Sequence, residues 1–349
     1  MNKKRVSIKD IAEVTGVTHP TVSRALRGQG RMSDATRARI IAVAEEMGYT
    51  PSLIGRGLVN QRSDSVGLVM TNFADPFHSE IAQGIEEEAL RHGYSIFLAS
   101  TTVDPQREME VVRSFQGRQV DGIIVSSGRV GNQYADILQE TGIPIVLINT
   151  HAEGDNIHTI VHDDREGATQ ITRHLLACGY QRIAFLGNQR AGKVQVERRR
   201  GWEMAMREAG LEPNLVVMGP NGRLQGGAVA GHTLLALATE EWGGLPEAIF
   251  CYNDTMAIGA VSTLRQAGIR APEQIGITGF DDIDMAEYMD PPLTTWRQPR
   301  REMGITAMRL MLELLNRDRE STVHELERVM HGELIVRRST QAIPSVISS

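Results

Sequence analysis

Seven residues near the start of the chain, Thr18-His19-Pro20-Thr21-Val22-Ser23-Arg24, place three hydroxyls, an imidazole and a guanidinium within two turns of a helix. Short hydroxyls suit phosphate oxygens, and an arginine reaches the O6/N7 pair of a guanine. The chemistry on offer is therefore contact with a nucleic acid rather than bond-making. Candidates for catalysis are sparser. His162-Asp163-Asp164 could ligate a metal, yet no further His or Asp spacing completes a set. Neither G-x-S-x-G nor a phosphate-binding G-x-x-x-x-G-K-[ST] occurs, and GNQRAGK and GFDD are too loose to count. The expectation is a protein that is not an enzyme, with no catalytic residue, metal or cofactor.

The elements that position the basic stretch are short helices. Ser7 can cap a helix whose apolar positions Ile8, Ile11 and Ala12 follow helical spacing, with Gly16 ending it. Thr18 can cap a second, in which Pro20 falls in the first turn, where a missing N–H costs nothing. Val22, Ala25 and Leu26 fall on its inner face. Ser33 caps a third, with Ile40, Ile41, Ala44 and Met47 inward and Gly48 as its stop. Helix, tight turn, helix is the shape of a helix-turn-helix, whose second helix enters the major groove. Residues 1–62 carry eleven Lys and Arg against five Asp and Glu, a net of +6 on a chain of net −6, leaving −12 on residues 63–349. A basic module on an acidic body points to a polyanionic partner for the module alone.

Beyond residue 62 the texture changes to β-rich runs: VGLVM (66–70), SIFLAS (95–100), GIIVSS (122–127), PIVLIN (144–149), TIVHD (159–163), RIAFLG (182–187), AIFCYN (248–253) and IGITGF (275–280). Helical stretches lie between most of them, which implies right-handed βαβ crossovers and parallel sheets. TIVHD reads as the restart of the series, so two similar α/β lobes are expected. Ligands bind beyond the carboxyl ends of such strands. That directs attention to Asn72 to His78, Asn149, Asp163, Asn253–Asp254 and Asp281–Asp282.

With 349 residues, 41% hydrophobic content and 34 glycines, the chain fits a turn-rich protein of two or three domains. MNKKRVSIKD has no apolar run behind its basic residues, so no secretory signal is read, and no stretch approaches the ~20 apolar residues that span a bilayer. Cys178 and Cys251 leave a disulfide open; a cytoplasmic setting favours buried thiols.

The segments VSIKDIAEVTGVTHPTVSRALRG and MSDATRARIIAVAEEMGYTPS closely resemble the DNA-binding headpiece of the lactose-repressor/purine-repressor (LacI/GalR-type) family. The resemblance recurs at RRRGW (198–202), CYNDTMAIGA (251–260), GITGFDDIDMAEYMDPPLTTWRQP (276–299) and GELIVRRST (332–340), covering nearly the whole chain. It implies an all-α helix-turn-helix headpiece (1–50), a hinge (51–63), a two-lobed periplasmic-binding-protein-like core of two doubly wound parallel sheets (64–340) and a tail (341–349). Lobe 1 is expected over about 64–158 plus 297–325, and lobe 2 over about 159–292 plus 326–340. DNA contacts are implied for Ser7, Thr18, His19, Pro20, Thr21, Ser23, Arg24 and Arg31, with Leu58 as a wedge into the minor groove. Gly55 and Gly57 depart from the family's alanine-rich hinge, each costing a helix roughly 1 kcal/mol relative to Ala.

The same resemblance places a small-molecule effector between the lobes, on Phe77, His78, Asn149, Arg198, Asn253 and Asp281. Each has a plainer reading: Arg198 paired with Glu197 or an acid across the cleft, Asp281 and Asp254 as helix caps, Phe77 in the core. The expected protein is a homodimeric, cytoplasmic regulator, a repressor of operator DNA, with a sugar or sugar derivative as effector. No zipper-like tail follows residue 340, which favours a dimer. The alternatives are a nucleobase or nucleoside effector, a sugar-phosphate-processing enzyme, and an exported solute-binding protein.

Overall fold

The computed structural model describes residues 6–49, 62–102, 104–126, 142–150, 157–316 and 327–341. It divides into two units, Met1–Ser63 and Asp64–Ser349. Leu58, Gly55 and Gly57 lie outside the described residues.

In the first unit, helices α1 (Ile8–Thr15), α2 (His19–Leu26) and α3 (Asp34–Glu46) enclose a small core of Ile11, Val22, Ala25, Ile40 and Ala44. Ser7 and Asp10 form a reciprocal capping box, and Gly16 ends α1 in the left-handed conformation. Ser33 caps α3 by accepting from the Thr36 N–H. Thr18 precedes α2 without a side-chain bond to its backbone; its hydroxyl meets that of Thr21 at 2.9 Å. Ile41, expected inward, is exposed, because the stripe of α3 that packs on the core runs through Ile40, Val43, Ala44 and Met47.

The second unit holds twelve described strands. A six-stranded parallel sheet is built from β1 (Ser65–Met70), β2 (Ser95–Ser100), β3 (Gly122–Ser126), β4 (Ile145–Ile148), β5 (Ile157–His162) and β11 (Glu327–Met330), in the order β11-β5-β4-β3-β1-β2. A four-stranded parallel sheet is built from β6 (Ile183–Asn188), β7 (Val216–Gly219), β8 (Ala248–Cys251) and β9 (Gly276–Thr278), in the order β7-β6-β8-β9. A short antiparallel pair, β10 (Thr295–Arg297) with β12 (Glu333–Ile335), completes it. Helices cover both faces of each large sheet, so β1, β3, β4, β6 and β8 read as continuous apolar runs and are buried throughout.

One boundary differs from expectation. TIVHD does not open the second lobe: β5 pairs with β4 (Leu147 opposite Thr159) and closes the first sheet. Residues 327–330, assigned above to lobe 2, add β11 to the free edge of β5 (Glu327 opposite Thr159). Lobe 1 therefore runs to His162 and regains 327–330. A parallel strand followed by a capped helix looks alike whether it ends one sheet or begins the next; the distinction lies in pairing, which periodicity does not carry. The chain passes between the lobes after β5, after β10 and after β11.

Candidate functional site

On the first unit the start of α2 carries the exposed residues Thr18, His19 and Pro20, with Arg24 exposed one turn on and Arg31 exposed beyond the helix. Thr21 and Ser23 are half-buried. Several of the expected contacts are already engaged within the protein: the Thr18 and Thr21 hydroxyls meet each other, and Arg24 Nε donates to the Pro20 carbonyl at 3.3 Å. The Ser7 hydroxyl donates to Asp10 at 2.7 Å, and the Ser23 hydroxyl accepts from Arg27 at 2.9 Å. The remainder form a polar, cationic rim at the end of a helix that offers no cavity, only a face.

In the second unit, all six residues expected at the effector site line one cavity of about 370 Å3 between the lobes. Phe77, His78 and Asn149 come from the first lobe, and Arg198, Asn253 and Asp281 from the second. Asn149, Asn253 and Asp281 follow strand ends, Phe77 and His78 open the helix after β1, and Arg198 lies further along, within the helix after β6, so that strand carboxyl ends and helix N-terminal halves face the same crevice. Two of these positions hold unusual backbone: Asn149 has φ 51° and Asp281 φ 115°, a region non-glycine residues adopt at a cost.

Arg198, on the helix Lys193–Glu208, sits at the centre and is buried. Its Nε donates to Asp164 at 2.8 Å and Nη1 to the Tyr252 carbonyl at 2.6 Å, while Nη2 stands 3.5 Å from Asp281. Phe280 lies 3.7 Å from the guanidinium carbon and Tyr252 4.7 Å, so the plane is covered by rings. Glu197, the neighbour weighed from sequence, pairs instead with Arg165 and Arg200. Burial works to raise the Asp164 carboxyl, yet Arg198 and His162 hold it below its ordinary value. Burial pushes Asp281 up to about 7 against the pull of Arg198, with Asp75 from the other lobe adding to the rise. Two carboxylates beside one arginine thus differ: Asp164 is its counterion, while Asp281 keeps a proton within reach near neutrality.

The remaining residues are placed by the fold. His78 lies between two hydroxyls, Thr71 Oγ1 at 2.8 Å from Nε2 and Ser126 Oγ at 3.2 Å from Nδ1. Phe77 is buried and meets His78 edge-on. Asn253, not Asp254, caps the helix Asp254–Gln266, accepting from Met256 at 2.9 Å and donating to the Gly222 carbonyl at 3.0 Å. Asp254 is buried behind it, accepting from Thr295 and the Ile283 N–H, and burial raises its pKa. Asp281 caps nothing; its carboxylate accepts from Gln298 at 2.6 Å. Of His162-Asp163-Asp164, Asp163 caps a helix, Asp164 serves Arg198, and His162 accepts from the Trp296 indole at 3.0 Å.

Sequence reading missed Asn188, Arg190, Asn221, Arg223 and Tyr252, which also line the cavity; Asp75, a further lining residue, falls within the stretch Asn72 to His78 singled out above. A signal existed for four of them. In the second lobe Asn-x-Arg occurs twice, as Asn188-Gln189-Arg190 and Asn221-Gly222-Arg223, each at or just past a strand end. The second follows the four-residue β7, which is too short to stand out as an apolar run.

Two family descriptions match the chain: "Bacterial regulatory proteins, lacI family" over residues 7–52 and "Periplasmic binding protein-like domain" over residues 172–340. The HTH-type transcriptional repressor PurR of Aliivibrio fischeri (strain MJ11) is 31% identical over 338 residues, 95% of this chain and 98% of the relative. The HTH-type transcriptional repressor CytR of Escherichia coli (strain K12) is 33% identical over 340 residues, 97% of each. The crystal structure of the Lac repressor dimer bound to operator and the anti-inducer ONPF superposes with a TM-score of 0.84 at 25% identity, covering 97% of this chain and all of that one. The chain belongs to the lacI family of bacterial regulatory proteins. It is a DNA-binding transcriptional repressor with an effector-binding core, and not an enzyme.

Proposed function

We propose that this repressor binds a polyhydroxylated small molecule, a sugar or sugar derivative, in the cavity between its lobes, and that occupancy changes operator affinity. The observation that supports this is the convergence of Asp281, Arg198 and four side chains from strand ends of both lobes on one cavity. A ligand touching both lobes favours one relative arrangement of them, which is the requirement for coupling to a second site. Asp281 and Asp75 accept from ligand hydroxyls; Asn149 supplies a further polar contact; Phe77 and Tyr252 offer ring faces. A planar base is the second reading, supported by those same two rings. The protein acts in the cytoplasm as a homodimer, each copy reading half of a pseudo-palindromic operator, and Leu58 wedges at its centre.

A thermal-shift screen of sugars, sugar derivatives, nucleosides and purines against the full-length protein, followed by operator titration with each hit, tests the proposal. Stabilisation by nucleosides or purines alone would transfer the site to the second reading. For the DNA face, Arg24→Ala is expected to lower specific operator affinity by ~1–3 kcal/mol while leaving random DNA nearly unaffected. Equal loss on both would reassign Arg24 to phosphate.

A further inference from the structure

The cavity contains three arginines, and they are not equivalent. Arg198 is held by Asp164, Tyr252 and Asp281, so its charge is answered inside the protein. Arg190 and Arg223 line the same cavity, are exposed, and have no ion pair or side-chain hydrogen bond among the described residues. Their backbones are fixed by matching turns: the Arg190 N–H donates to Asn188 Oδ1 at 2.9 Å, and the Arg223 N–H to Asn221 Oδ1 at 3.0 Å. The two turns also touch. A Cβ on Gly222 would lie 2.8 Å from Asn188 Nδ2 and 3.3 Å from Tyr252, so glycine is what lets the second turn press against the first. Asn253 then ties the Gly222 carbonyl to the floor of the cleft. Two guanidiniums thus leave one packed corner of the second lobe with no counterion among the described residues. Asp75 and Asp281 are the carboxylates among the lining residues, and both already accept hydrogen bonds from the protein.

We propose that the effector carries an anionic group, a carboxylate or a phosphate, which Arg190 and Arg223 bind together. This rests on the polyhydroxylated-effector reading above and narrows it to a sugar acid or a phosphorylated sugar. Guanidinium forks match both anions, and two of them on one oxyanion give charge-assisted bonds roughly twice as strong as neutral ones. The hydroxylated remainder of the ligand then faces Asp75, Asp281 and Asn149.

The test uses the full-length protein, wild type and Arg190→Gln/Arg223→Gln, both expected to melt alike without ligand. Inorganic phosphate and acetate are first compared with chloride at matched ionic strength. One or both are expected to raise the melting temperature of wild type only. Matched sets of aldose, aldonate and aldose phosphate (pentose and hexose) are then titrated calorimetrically. An anionic member is expected to bind at least tenfold tighter than its neutral parent, with that advantage lost in the double variant. An aldonate preference identifies a carboxylate, and an aldose-phosphate preference a phosphate. If the neutral sugar binds as well as its anionic partners, or the variant keeps the preference, the anionic assignment falls while the sugar reading stands. If neither simple anion acts on wild type and no set member binds, both fall.

Discussion

The two walls of the cleft are built alike and loaded differently. On the first lobe, Asn72 and Asp75 accept from the Ala74 and Phe77 N–H groups, Asn149 accepts from the His162 N–H, and His78 is clasped by Thr71 and Ser126. Those side chains are shaped by the fold and offer a ligand only what is left over. On the second lobe, Asn188 and Asn221 hold similar turns, but the turns carry arginines that no side chain among the described residues answers. A wall whose polar atoms are satisfied gives shape; a wall with unsatisfied charge gives selectivity. Arg198, between them, belongs to the first kind although it stands on the second lobe.

That contrast is broken most sharply at Arg198. Arg198→Met removes the partner of the buried Asp164 and is expected to destabilise the protein by about 3–5 kcal/mol, because an uncompensated buried charge remains. Chemical denaturation with fluorescence detection measures it. Full stability with a lost effector response would return Arg198 to a purely ligand-facing role.

Gly222→Ala comes next. The added methyl must displace Asn188 Nδ2, whose side chain is buried and tied to the Arg190 turn, so a loss of about 1–3 kcal/mol is expected. Ligand affinity should fall with it, since the corner carrying both arginines opens. Unchanged ligand affinity would show that the two turns act separately.

A smaller effect concerns pH. The folded-state pKa of Asp281 is raised to about 7, above its unfolded value near 4. The folded state therefore holds a proton that the unfolded state releases, and stability falls as pH rises from about 4 to 7. Asp254, also raised, slopes the same way, whereas Asp164 is depressed and acts below that window. Asp281→Asn should flatten part of the decline in melting temperature between pH 5 and 7. A slope identical to wild type would mean that Asp281 stays ionised throughout. The smallest expected change is in the stability of Arg190→Gln, within about 0.5 kcal/mol of wild type, as for surface positions without partners.

How much of this was legible in the sequence follows the same division. Helix caps such as Ser7, Ser33 and Asp163 are local, since donor and acceptor lie within three residues, and they could be read directly or as strand-end polar positions. All six residues expected at the effector site line one cavity: five lie at or shortly after a strand end, a position that a doubly wound sheet directs to one crevice, and Arg198 reaches it from within the helix after β6. The partners of Arg198 were not legible: Asp164 is 34 positions away, and which acid meets a buried arginine depends on how two helices cross. The β5 boundary failed for the same reason, because strand pairing is a long-range choice. Asp254 looked like a cap and proved to be a buried tether, since Asn253, one residue earlier, took the capping position.

The three passages between the lobes meet at one spot. His162 at the end of β5, Trp296 in β10 and Gly332 after β11 are in contact: the indole donates to the imidazole at 3.0 Å, and a Cβ on Gly332 would strike the Trp296 ring, the Arg297 carbonyl and the imidazole. Three crossings pinned at one point resemble the knuckles of a door hinge rather than a string. They resist sliding and leave swinging as the easy motion. Arg198, through Asp164 two residues from His162, joins the cleft to that pin. A turn of a few degrees about the pin is therefore magnified with distance, so the parts of each lobe farthest from it report most strongly what the ligand does at the centre.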